Sequence, residues 1–399
     1  MISTIRAIRR PTLLLALSIA VGACADDEEA SSPMTPDFAI IGGNGGLSAP
    51  LSVYTQNLWL GGDTGPLFSL DLSDLSRVIP ATATFWAEVQ ASNIEERVVE
   101  IVHELEDRRP AVVALQEAVG YVTGALVPNA EGGLDFVAEA PGPDLLQAIM
   151  AEIEARGLPY SVAVMQPTTA IALPIGPPGA AGLPAIAVQD RVVMLKHDDV
   201  EPSVTDHGLY EARIPLGPTE FVRGWVRMTI EHDGAPLHFV ATHLETQGSG
   251  PTDPIRYIHE LQGAELQHSV LASLDGTTVL MGDLNSDAAA DPSSRTWTPT
   301  YGNLIDAGFL DVWATAPHPS REDGVTCCHE GGDPARTPDQ RIDFVLVRTA
   351  PESGDAGHHR GWFRAEIVGT KEADRTPSGL WPSDHAGIVA SMRLPGRMR

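Results

Sequence analysis

The chain reads as an α/β (α+β) protein, and three features of its sequence predict this. Short runs rich in Val, Ile, Leu and Thr alternate with amphipathic helical stretches. The alternation follows no fixed period, which excludes solenoid and propeller repeats. With 399 residues and 43% hydrophobic side chains the chain can bury a full core, and no linker divides it beyond Pro50. One domain over 51–396 is expected.

The first strand is read at 51–59, closed by Gly61 and Gly62. Ser92-Asn93-Ile94-Glu95 has the pattern of a capping box, and Ile94, Val98, Ile101, Val102 and Leu105 follow on one helical face. A second helix opens at Asp144 with Leu145, Leu146, Ile149, Met150 and Ile153, and a third runs from Asp253-Pro254 to about Leu274. Strands are expected at 112–116, 160–165, 191–196, 225–231, 237–243, 277–281, 341–348 and 387–392. The Pro/Gly/Ala segment 166–185 is read as a surface insertion unable to hold a ladder, together with 62–85 and 120–142.

Arg6, Arg9 and Arg10 precede an apolar run at 13–21, which is too short to span a bilayer and has the charge order of a secretory signal. Val21-Gly22-Ala23-Cys24 is similar to the lipobox of bacterial lipoproteins. That similarity implies a signal peptide at 1–23 and membrane attachment through a lipidated Cys24, with more than one acyl chain holding the anchor. Residues 24–50, acidic and then rich in Ser, Pro and Gly, read as a flexible tether. The expected location is extracytoplasmic, anchored to the bacterial cell envelope or secreted. Ala25, where an inner-membrane retention aspartate would stand, directs the expectation to the outer membrane.

The 26 basic and 53 acidic residues give a net charge of −27, and loss of the three arginines in 1–23, with no acids, takes it to −30. Such a surface repels polyanions, so nucleic acid is disfavoured as a partner, and no Lys/Arg cluster offsets this. Only three cysteines exclude a disulfide-dense scaffold. Cys327-Cys328-His329 admits a vicinal disulfide or metal ligation, but no second ligand cluster at zinc spacing accompanies it, so a structural loop is preferred.

Several apolar strands finish on a carboxylate, amide or imidazole: Asn57, Glu117, His243, Asp283 with Asn285, Asp343, and Asp384 with His385. Each alone has a bland explanation, such as a turn residue, a core histidine or an Arg341–Asp343 ion pair. Collected at strand ends they can share one cleft, where oxygen donors suit a hard cation and histidines suit a phosphoryl group.

In order, Thr55-Gln56-Asn57, Leu115-Gln116-Glu117, Thr242-His243-Leu244, Gly282-Asp283-Leu284-Asn285, Arg341-Ile342-Asp343 and Ser383-Asp384-His385 resemble the endonuclease/exonuclease/phosphatase superfamily, which includes pancreatic-type deoxyribonucleases and bacterial sphingomyelinases. The resemblance implies a four-layer αββα sandwich of two mainly antiparallel sheets. It implies that Glu117, Asn57 and Asp384 ligate Mg2+, Mn2+ or Ca2+. Asp283 would take the proton of the attacking water, Asn285 would orient that water, His243 and His385 would bind phosphate oxygens, and Asp343 would hold His385. The activity implied is metal-dependent phosphoester hydrolysis by a monomer, on a substrate the sequence does not name. An extracellular endonuclease and a non-catalytic binding lipoprotein are the alternatives. Arg191 reads as substrate-facing or as a salt-bridge partner.

Overall fold

The computed structural model describes residues 50–68, 70–130, 132–216, 219–232, 234–317, 324–329, 338–350 and 362–394. The signal peptide, Cys24 and the tether up to residue 49 lie outside them, as do residues 395–396 at the expected domain end.

The chain begins with β1 (Leu51–Asn57), α1 (Gly65–Phe68), α2 (Leu75–Ala91) and α3 (Ile94–Arg108). β2 (Val112–Gln116), β3 (Gly120–Pro128) and β4 (Leu134–Asp144) lead to α4 (Leu145–Ala155), then to β5 (Tyr160–Pro174) and β6 (Leu183–His197). β7 (Val204–Leu209), the small hairpin of β8 (Ile214–Leu216) and β9 (Thr219–Phe221), β10 (Gly224–His232), β11 (Ala235–His243) and α5 (Pro254–Glu265) follow. The rest is β12 (Thr277–Asp283), α6 (Thr300–Asp306), β13 (Leu310–Asp311), α7 (Val312–Thr315), β14 (Asp343–Arg348), β15 (Trp362–Val368) and β16 (Gly387–Arg393).

One sheet runs β15-β16-β1-β2-β6-β3-β4 with β5 also on β6, and the other runs β13-β14-β12-β11-β10-β7. Both are mainly antiparallel; the β1/β2 and β11/β12 pairs are parallel. Strand alternation sorts the core into layers. Val53, Val112 and Ala114 of the first sheet meet Phe239, Met281 and Val345 of the second in one buried cluster between them. The neighbouring residues Tyr54, Val113 and Leu115 point the other way, onto α2, α3 and α4. Val240, Leu280 and Leu346 likewise face Leu266, Val270 and Leu271, where α5 runs on as a π-helix. The result is helix, sheet, sheet, helix.

Four local expectations need correction. The 166–185 segment does carry a ladder, because β5 and β6 pair almost throughout. Its prolines are tolerated since β5 lies outside the main strand path, bonded to β6, and the register shifts between Pro167 and Ala170. Residues 120–142 form most of the β3/β4 hairpin, again with register shifts. Residues 62–85 contain α1 and much of α2, whose Asp74 cap accepts from the Ser76 N–H and whose Val78, Thr82, Phe85 and Val89 are buried despite Pro80. The capping box at 92–95 does not form: Asn93 occupies the cap in a left-handed conformation, and the Ser92 hydroxyl donates to the Val89 carbonyl at the end of α2.

Phe239 is wholly buried between the sheets. Phe239→Ala is expected to lower the unfolding free energy by about 3–5 kcal/mol, read from urea denaturation.

Candidate active site

The rim of the inter-sheet core carries the polar groups. In the second sheet His243 is the register partner of Asp283, and Asp283 of Asp343, so three strands deliver these residues side by side. They continue the inward-facing parity of Ala241, Met281 and Val345, as Asn57 continues that of Val53. Gly282 makes this pairing feasible: its φ is +134°, and a Cβ there would collide with the Thr242 carbonyl oxygen.

Glu117 arrives by a different device. β2 and β3 pair with successive stretches of β6, and between them Glu117 adopts φ +53° and breaks the ladder. Its carboxylate then accepts from the Leu60 N–H at 2.8 Å. His385 sits just before β16, and its loop is held to β1 by two motif residues. Gln56 donates to the His385 carbonyl at 2.8 Å, and the Ser383 hydroxyl donates to the Asn57 carbonyl at 2.7 Å. Beneath them the buried Arg97 guanidinium donates to the carbonyls of Leu58, Trp59 and Pro382.

The side chains form one connected set. Asn57 Nδ2 donates to Asp283 at 3.0 Å and to Glu117 at 3.3 Å. Arg223 donates to His243 Nδ1 at 2.8 Å, so the ring carries a proton on Nε2, which lies 3.3 Å from Asp283 Oδ2. His385 Nδ1 bonds Asp343 at 2.8 Å, and its Nε2 stands 3.9 Å from Asp283. The Asn285 backbone N–H donates to Asp283 Oδ1 at 2.9 Å, and its side-chain amide donates to the Leu244 carbonyl at 3.0 Å. Glu117, His243, Asp283, Asn285 and His385 line one cavity, while Glu117 and Asp384 line a second on its other side.

Charge follows from this packing. Burial opposes the His385 imidazolium, but Asp343, by charge and hydrogen bond, and then Asp283 and Asp384, hold its pKa well above the ordinary histidine value. Asp283 is held well below the usual carboxylate range although burial acts against this, chiefly by its hydrogen bond to His243, then by the charge of His385 and the hydrogen bond from Asn57. Burial pushes Asp384 up to about 7; His385 opposes the rise and Glu117 adds to it. Burial also raises Asp343, against the pull of His385.

The residues fit a hard cation. Carboxylate oxygens of Asp283 and Asp343 lie within 4.8 Å of each other, and the buried Asp343 Oδ1 has no hydrogen-bond partner. Glu117 and Asp384, two of the expected ligands, flank the second cavity and repel each other, which a divalent ion relieves. Asn57, the third, turns its Nδ2 to Glu117 and its Oδ1 to the Trp59 N–H.

Sequence reasoning missed the support behind His243. Arg223 there is flanked by Glu245 and Asp190 at 3.4 and 3.6 Å, all of them buried. Glu245 directly follows Thr242-His243-Leu244, and Asp190 precedes Arg191, so both were adjacent to residues already singled out; Arg223 carried no local signal. Arg191 itself makes a two-pronged ion pair with Asp144, the cap of α4. Arg341 pairs with Asp311, not Asp343. Cys327 and Cys328 are joined as a disulfide, and the backbone of Cys327 pairs in isolated antiparallel β-bridges with those of Gln340 and His385.

No protein-family model matches the chain, and no curated protein does. Among solved structures it is similar to an endonuclease/exonuclease/phosphatase family protein from Leptotrichia buccalis, with 14% identity over 86% of this chain and 99% of that one, at a TM-score of 0.50. The chain has the endonuclease/exonuclease/phosphatase fold. It is also similar to an endonuclease/exonuclease/phosphatase from Beutenbergia cavernae (18% identity, 86% and 72% of the two chains, TM-score 0.48) and to a mannosyl-6-phosphatase from Bacteroides thetaiotaomicron (13%, 86% and 99%, TM-score 0.47).

The raised pKa of His385 means that its stabilising interaction is complete below the unfolded histidine value near 6.5 and is lost as pH rises through the higher folded value. Asp343→Asn is expected to lower the His385 pKa, as followed by histidine 15N NMR titration of the metal-free protein.

Proposed function

We propose that the protein is a divalent-metal-dependent phosphoester hydrolase that works outside the cytoplasm. The observation that carries this reading is the His385–Asp343 pair at 2.8 Å, set against a buried Asp283 that also meets His243 and Asn57. It puts imidazole donors and an ionised carboxylate around one point, as in-line attack on phosphorus requires.

Asp343 keeps the His385 imidazolium oriented, so that Nε2–H donates to a non-bridging phosphate oxygen. His243, its tautomer set by Arg223, presents a second N–H donor. Asp283 accepts the proton of the attacking water, and Asn285, anchored through its backbone N–H to Asp283, orients that water. Glu117, Asn57 and Asp384 would hold the cation, which supplies Lewis-acid polarisation of the phosphate and charge neutralisation.

Extracytoplasmic action is supported by the charge order of the N-terminal segment and by the lipobox-like Val21–Cys24 stretch. We read residues 1–23 as removed and Cys24 as the lipid anchor of a monomer. Among the described residues no helix is long and apolar enough to cross a membrane.

The test is turnover of a generic phosphodiester with Mg2+ or Mn2+ and then with chelator. Chelation is expected to abolish the rate. Asp283→Ala and His385→Ala should each cut kcat by about 100-fold or more while the circular dichroism spectrum is kept. An absence of metal-dependent turnover across nucleic acids, phosphosugars and phospholipids would move the protein to the class of binding lipoproteins.

A further inference from the structure

The cavity beside the candidate active site has a volume of about 370 Å3 and is lined by two chemically distinct groups of side chains. Glu117, His243, Asp283, Asn285 and His385 form one. The other is hydrocarbon, contributed by five separate elements: Phe68 of α1, Phe85 of α2, Ile171 and Leu173 of β5, Val188 of β6 and Phe221 of β9. Phe68 and Phe221 pack edge to face at 5.0 Å, and Ile171 and Val188 are register partners on the cavity wall.

Apolar surface left open to water is costly, and a pocket of this size is of the kind that encloses a small ligand. Arg223 is the only Lys or Arg among the described residues lining it. Arg223 is already engaged by His243, Glu245 and Asp190, so no free cation tracks a second phosphate. The net charge of −27 acts in the same direction.

We propose that the substrate is an amphiphilic phosphoester, whose aliphatic chain packs on the apolar group while its phosphate meets the polar group. This rests on the hydrolase reading above and adds the substrate class to it. One cavity is lined by both groups, so chain burial contributes to binding of the reacting phosphoester. The occupant is therefore a hydrocarbon covalently attached to the phosphoester.

The experiment compares methyl, butyl and octyl 4-nitrophenyl phosphate diesters, below micelle-forming concentrations, with the purified full chain and Mg2+ or Mn2+. Each buried methylene is expected to raise kcat/KM about threefold to fourfold, so burial of all seven additional methylenes should make octyl exceed methyl by about 1000-fold or more. Ile171→Gln and Val188→Gln, both at half-buried positions, should flatten this dependence. Equal kcat/KM for methyl and octyl overturns the substrate class and leaves the hydrolase reading standing, as does a DNA oligonucleotide turned over faster than the octyl diester. If no diester is hydrolysed, the hydrolase reading fails, and calorimetric binding of methyl- and octylphosphonate decides the pocket: tighter octyl binding supports it and equal binding overturns it.

Discussion

Burial of both faces of the central strands of both sheets is the constraint on which the site depends. Because alternate residues of β11, β12 and β14 serve the inter-sheet core and the outer helices, each strand's side-chain direction is set by apolar packing along its length. A slip of one residue would turn Phe239, Met281 and Val345 out of the inter-sheet core onto the helix side and disrupt the packing of both layers. The same register aims His243, Asp283 and Asp343 at the rim. The geometry of the polar set is thus enforced by hydrophobic packing well away from it.

Electrostatics then differentiate residues of like chemistry. Asp283, Asp343 and Asp384 are all aspartates at the site, yet Asp283 is held ionised by two histidines while burial raises Asp343 and Asp384. Such separation suits a group that accepts a proton beside groups that hold an imidazolium or a cation. It requires the loops after β1 and before β16 to stay together. Gln56, Ser383 and Arg97 do this by satisfying carbonyls that would otherwise be buried without partners.

Much of this was legible along the chain. The amphipathic pattern from Ile94 to Leu105 marked α3, and Asp144 and Asp253 marked helix starts that their caps bear out. The strand-end residues were visible because an apolar run ending on a lone polar group stands out. Features set by long-range pairing were not visible: the β5/β6 ladder overrode local Pro/Gly composition, and Ser92 turned back to α2 instead of capping α3. Arg223 and Glu117's left-handed kink escaped notice for the same reason, since neither has a local spacing rule.

The sequence by itself determined the α/β class, the order of most strands and the identities of the eight polar residues, because side-chain type and alternation are encoded locally. Only the tertiary structure decided that Asn57 meets Asp283, that Asp343 serves His385 and not Arg341, and that an apolar recess opens beside them. Those facts arise from contacts between segments separated by as many as 226 residues, whose pairing is selected by the free energy of the whole core.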